Sequence, residues 1–194
     1  MVENIPKIPG LVIAYHGCDK SVADKVVSGE ERLKGSTNSY DWLGPGQYFW
    51  EDSVQRALDW AIDNSQKEDS EIQEPAVLGA VIDMGICLNL VDTYSINLVK
   101  EAFENLKTHY ELVELPLPQN KNTKGNNDWL MRHLDCAVIK FLCTYHKNID
   151  TIRGVFLEGK ELYEGAGFRD KTHIQICVRN SACIKGYFLP IVKI

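Results

Sequence analysis

The chain has 194 residues, 44% hydrophobic and 25% charged, with 27 acidic side chains against 21 basic ones and a formal net charge of −6. That length fits one domain with a sizeable core, and the composition excludes a disordered chain or a coiled coil. The acidic balance argues against strong non-specific binding to nucleic acid or anionic membrane, which draws affinity from clustered Lys and Arg, though it leaves room for a local basic groove.

The opening stretch MVENIPKIPG lacks a cationic region followed by an apolar one, and no apolar run reaches the length that spans a bilayer. A soluble, cytoplasmic protein with no membrane partner is expected. The first strand is predicted at Leu11–His16, followed by a helix over Ser21–Gly29 with a serine cap and a glycine stop. A Gly/Ser/Asn-rich loop ends in Gly44-Pro45-Gly46 before the short strand QYFWE, and Ser53 is placed to cap the next helix. Val54, Ala57, Leu58 and Ala61 form that helix's apolar stripe.

Two strands, AVLGAVIDM and CLNLVD, follow with a break at Gly85, and then a helix from about Ser95 to Tyr110. The segment PLPQNKNTKGNND reads as a loop, and DWLMRHLDCAVIKFLCTYH as a helix with Asp128 near its start. IRGVFLEG, HIQICVRN and GYFLPIVKI close the chain as strands. The order predicts a single α+β domain over residues 1–194, with a helical insertion at about 94–148.

Several familiar chemistries fail on spacing. The segment GAGFRD at Gly165 lacks the third glycine and the strand–helix setting of a dinucleotide fingerprint. His133, Cys136, Cys143 and His146 look like a zinc set, but on one helix the two histidines lie about 20 Å apart, beyond the reach of one ion. No metal is expected. The six cysteines show no regular spacing and read as reduced core thiols, and nothing marks Cys18, beside His16, as a thiolate nucleophile.

One constellation remains. A strand ends on His16-Gly17, Gly46-Gln47-Tyr48-Phe49 leads into a helix that carries Ala57, and a late strand bears Gln175 followed by Ile176-Cys177-Val178 and, further on, Tyr187-Phe188-Leu189. In order, spacing and context these segments resemble the ADP-ribosyltransferases of the diphtheria toxin and poly(ADP-ribose) polymerase group, and they bracket nearly the whole chain. The stretch from about Ile86 to Asn148 has no counterpart in the pattern.

The resemblance implies an ADP-ribosyltransferase-like fold, a split mixed β-sheet flanked by helices, with NAD as co-substrate and no metal. It implies that His16 holds the adenosine-side ribose, that the Gly17 backbone holds the nicotinamide amide, and that Tyr48 stacks on the nicotinamide ring. Gln175 stands where the family often has glutamate. An amide makes the same hydrogen bond to a ribose hydroxyl but brings no charge and cannot act as a base, so single transfer without chain elongation is expected.

A general base, if the acceptor needs one, is sought among Glu158, Glu161, Glu164 and Asp170, with Asp170 first because its turn leads directly into Gln175. The second ring-stacking position of the family falls on Asp59, so Trp60, Tyr40 or Trp42 is the candidate to close over the ligand. Arg56, where relatives carry a hydroxyl, is read as a phosphate contact or an exposed helix arginine. Lys121, Lys124, Arg169 and Lys171 make either a polyanion patch or a solvated face.

The resemblance implies a macromolecular acceptor, nucleic acid or protein. The resemblance also extends to small bacterial toxins of toxin–antitoxin and phage-defence systems, which implies an antitoxin or inhibitor protein as a further partner. Two other readings share the scaffold: a non-catalytic module that binds NAD, an ADP-ribose-like ligand or a protein, and a plain NAD glycohydrolase with water as acceptor.

Overall fold

The computed structural model describes residues 5–123 and 128–191. In chain order the elements are β1 (Leu11–Asp19), α1 (Lys20–Ser28), β2 (Gln47–Glu51), α2 (Val54–Ser65), β3 (Pro75–Asp83), β4 (Cys87–Asn89), α3 (Thr93–Leu112), α4 (His133–Tyr145), β5 (Thr151–Phe156), β6 (His173–Val178) and β7 (Ile184–Phe188). The seven strands form one mixed sheet in the order β4-β5-β6-β2-β1-β3-β7, and β4–β5 is the parallel pair. The protein is therefore a single α+β domain.

Alternation along the strands gives the sheet two apolar faces. On one, Ala14, Cys18, Phe49, Leu78, Ala80, Ile82, Ile176 and Val178 pack with Ala23 and Val26 of α1. On the other, Ala57 and Leu58 of α2 cover Trp50 and Val77, while Leu106 of α3 and Val138, Ile139 and Leu142 of α4 cover Leu88, Ile152 and Cys177. Tyr48 packs with the α4 cluster and Trp50 with the α2 cluster, so these two helical layers share a face with a seam between them.

Most predicted elements are present with corrected bounds: the strand predicted over CLNLVD stops at Asn89, and the helix predicted over Ser95–Tyr110 runs from Thr93 to Leu112. β1 runs on through Gly17 and Cys18 to Asp19, and Asp19 rather than a serine caps α1. The helix predicted from Asp128 begins at His133. Met131 is bridged to Lys121, Trp129 takes a positive φ of 51°, and Asn120 Oδ1 accepts from the first-turn amides of Leu134 (2.8 Å) and Asp135 (3.3 Å). The helix thus starts where a distant asparagine satisfies its free N–H groups. The last strand starts at Ile184 rather than Gly186 and ends at Phe188, short of the predicted run, whose residues 192–194 lie outside the described residues. All six cysteines are buried and free, and burial pushes Cys18 up to about 11, which keeps it a thiol. Among the described residues no helix is long and apolar enough to cross a membrane.

The Asp19 carboxylate does more than cap α1. It accepts from Ser21 N (2.9 Å), Ser21 Oγ (2.6 Å), Gln73 N (2.8 Å) and Glu74 N (2.9 Å), which tie the β3 approach to the β1–α1 corner and hold its pKa well below the usual aspartate range. A group depressed on folding stabilises above its unfolded pKa, near 4, and loses that contribution as pH falls through its folded value. Asp19→Asn is expected to cost about 1 kcal/mol near neutral pH. In urea titrations the gap between wild type and variant should close below about pH 4; a gap that stays constant to pH 2 would contradict the assignment.

Candidate functional site

The site begins where two strands part. β1 is registered with β3 from Leu11 to Asp19, but with β2 only at Ala14–Glu51 and Tyr15–Trp50. Ile13 O accepts from Asp52 N (3.1 Å), so by alternation Tyr15 and Gly17 turn their N–H and C=O groups to that same edge. Tyr15 finds Trp50 there. Gly17 has no register partner in β2, which by then runs beside β6.

His16 spans the opening, with Nδ1 2.8 Å from Tyr48 O. A carbonyl only accepts, so Nδ1 carries the proton and Nε2 is left as an acceptor. Burial lowers the His16 pKa and keeps the ring neutral. The histidine therefore ties the parted strands together with one nitrogen and leaves the other for a hydroxyl donor.

Helix α2 lies directly over Gly17. A Cβ there would overlap the Ala57 carbonyl oxygen and come within 3.2 Å of Trp60 Cε3. Trp60 is one helical step from Ala57 on the same side, 40% exposed, with its ring centroid 5.8 Å from that of Trp50. Trp50 is in turn the register partner of Gln175. Gly17, Trp60, Trp50 and Gln175 thus form one continuous run of neighbours. Asp59 points elsewhere, accepting from Gln55 Nε2 (2.8 Å) on the outer side of the helix, so the α2 aromatic against the sheet is Trp60.

Tyr48 is held more firmly than its resemblance-based role requires. Its hydroxyl accepts from Leu43 N (2.8 Å) and donates to Gly44 O (2.6 Å), and burial raises its pKa far above the usual phenol value. It braces the turn before β2, where Gly44 takes a φ of +74°. Tyr40 packs edge-on to His133 at the start of α4, with centroids 5.8 Å apart.

Next to Gln175 along β6, on the same face, His173 sits among Trp42 (6.1 Å), Phe156 (5.8 Å) and Trp50 (6.3 Å). Its Nδ1 donates to Lys171 O (2.7 Å), and burial lowers its pKa to about 4. Glu158 Oε2 lies 3.7 Å from that Nδ1 and 3.3 Å from Arg56 Nη2. Burial raises the Glu158 pKa while Arg56 opposes the shift. The Arg132 guanidinium stacks 4.2 Å from the Trp42 ring centroid and 5.0 Å from that of Phe156.

Among the four acids named from sequence, Glu158 is the one in this cluster. The Asp170 carboxylate instead braces its own hairpin by accepting from Lys160 N (2.8 Å), Glu161 accepts from Gly165 N (3.2 Å), and Glu164 is exposed. Arg56 is an ion-paired wall residue rather than a free surface arginine. In the basic set, Arg169 donates to Gly159 O, Lys171 lies 3.5 Å from Asp63, Lys121 is bridged through its backbone to Met131, and Lys124 lies outside the described residues.

Sequence reasoning missed His173, Trp50 and Arg132. Strand alternation was the available signal for the first two, since His173 is two residues before Gln175 and Trp50 two after Tyr48. Arg132 carries no local signal. Compared with family models, with curated proteins and with solved structures, the chain finds no match in any of the three.

Proposed function

We propose that the chain is an NAD-dependent mono-ADP-ribosyltransferase on a split-sheet ADP-ribosyltransferase-like fold. The observation that carries this reading is the parting of β1 and β2 at His16-Gly17. It leaves Gly17, paired with Val77 of β3 on one side, without a register partner in β2 on the other, near a neutral imidazole whose Nε2 is an acceptor and an exposed tryptophan. A carboxamide is a donor–acceptor pair that suits such a backbone edge, and a cationic pyridinium ring suits an indole face.

In this reading Gly17 binds the nicotinamide amide, His16 Nε2 accepts from a ribose hydroxyl, and Trp60 supplies the ring wall that the family places one residue earlier. Tyr48 borders the opening through its carbonyl, with its ring braced against the α4 cluster. Gln175, whose amide has no partner among the described residues, bonds the ribose hydroxyl next to the reacting carbon. The glycosidic C–N bond breaks with its electron pair leaving on nicotinamide, and the acceptor's lone pair forms the new bond to that carbon. Glu158, held between Arg56 and His173, takes the acceptor's proton in this reading.

The neutral Gln175 and the α2 carbonyl packed over Gly17 favour a second reading, a module that binds NAD without turning it over. Incubation with labelled NAD and a whole-cell extract, followed by separate protease and nuclease treatment, separates the two. Label in a macromolecule is expected, with Gln175→Leu reducing it by about two orders of magnitude and the releasing treatment naming the acceptor class. Absence of both label and free nicotinamide, with NAD binding confirmed on folded protein, would establish the module.

A further inference from the structure

We infer that Arg56, Arg132 and Trp50, beside Gln175, form a binding site for a phosphate oxyanion. This names a ligand for that end of the site, and it rests on the transferase reading only for which phosphate fills it. The Arg56 Nε, Arg132 Nε and Trp50 Nε1 atoms are all buried without a hydrogen-bond partner. They come from α2, the segment before α4 and β2, elements far apart in sequence.

The three residues belong to one cluster. Arg56 and Arg132 both act electrostatically on Glu158 and on His173, and the His173 ring touches Trp42, which carries Arg132, as well as Trp50. Each arginine already spends one terminal nitrogen on a carboxylate: Arg56 Nη2 on Glu158 and Arg132 Nη1 on Asp135. The Nε–H of each is left over.

Buried donors without acceptors are costly, and these three share one polarity. Arg56, Arg132 and Lys171 all draw on Glu158, while Asp128 opposes them and Asp135 and Asp63 pair with Arg132 and Lys171, so what the cluster leaves over is hydrogen-bond donors rather than net charge. A phosphate brings enough acceptor oxygens for donors from three directions and takes charge-assisted bonds from guanidinium N–H groups, whereas a single carbonyl oxygen cannot serve all three. His173 Nε2, buried and unpartnered, is the one acceptor in the group, because Nδ1 carries the ring proton. It can receive a hydrogen bond from a phosphate or ribose hydroxyl. The source is either the pyrophosphate of NAD or a phosphate of a nucleic-acid acceptor.

The chain has four tryptophans, so ¹H–¹⁵N spectra give at most four indole signals, and Trp50→Phe identifies the one that matters. Titration with inorganic phosphate is expected to shift the Trp50 indole and an arginine Nε–H saturably. Arg132→Gln should weaken that binding about tenfold or more, with the other indole signals reporting that the fold is kept. Trp50→Phe, which retains a ring and loses the N–H, should weaken it several-fold.

No Trp50 shift, or equal affinity in Arg56→Gln, Arg132→Gln and wild type, overturns the site. The same variants assign the source: a higher KM for NAD in Arg132→Gln gives the site to the pyrophosphate. Unchanged NAD parameters with weakened binding of a 5′-phosphorylated DNA strand give it to the acceptor. Failure of nicotinamide release would remove the transferase reading while leaving the phosphate shifts intact.

Discussion

Gly17→Ala is expected to lower stability by about 2 kcal/mol or more, a fall in melting temperature of roughly 4–8 °C for a chain of this size. The reason is backbone against backbone. The added methyl would overlap the Ala57 carbonyl oxygen and come 3.1 Å from its carbon, and neither can rotate away as a side chain would. The strand and helix must separate, and with them Ala57, Leu58 and Trp50, the buried cluster under α2.

Because the obstacle is a carbonyl, Ala57→Gly will not rescue the variant. A side-chain clash would be relieved by that change, so the double variant distinguishes the two causes. Trp60 rides on the same helix, and nicotinamide release should fall beyond what the lost stability accounts for, measured at a temperature where the variant is folded. A melting temperature within 1 °C of wild type would show that α2 does not rest on Gly17.

The contrast between Gly17 and Asp59 shows what was legible in the chain. The strand ending on His16-Gly17 and the strand Gln47–Glu51 could be read from an apolar run and from turn residues, because a buried strand and a glycine stop leave local marks. Which α2 residue faces the sheet depends on the helix's rotation about its axis, and that is set by Ala57 docking on Gly17 from 40 residues away. A one-residue error moves a side chain by about 100° around the helix. Trp60 and Asp59 exchange roles on that account alone.

The acid was harder for the same kind of reason. Asp170 is near Gln175 in sequence, yet the hairpin that joins β5 to β6 uses its carboxylate to close on Lys160 N. Glu158, on the opposite arm, is left facing Arg56 of α2. Arg132 lies still further from any local pattern, since its place over Trp42 follows from α4 starting late, at the point where Asn120 caps it. Each of these depends on contacts between segments that the sequence separates, and no periodicity records them.

The second large effect is expected on the far face of the sheet. Arg153 of β5 reaches past the Ile176 position of β6 to Glu51 at the end of β2, with Nε 2.6 Å from Oε2 and Nη2 2.9 Å from Oε1. A third bond joins Nη1 to Asn89 Oδ1 at 3.3 Å. The side chains are 20% and 14% exposed, so the fork-to-fork pair is mostly out of water, and either partner left alone keeps a charge with little solvent. Arg153→Met is expected to cost about 3 kcal/mol, somewhat below the range for fully buried pairs because some solvent reaches the site.

Glu51→Leu should cost a similar amount, whereas the double variant should lose far less than the sum, a coupling of about 2 kcal/mol. Urea unfolding of the four proteins measures it, and a coupling below about 0.5 kcal/mol would mean that β2 is held by its ladder to β6 alone. The pair sits where that matters most. Glu51 adjoins Trp50, in the short stretch that still joins β2 to β1 before the strands part. If the coupling is present, single variants at this pair should also broaden the Trp50 indole signal, because the strand that carries it loses its anchor to β5.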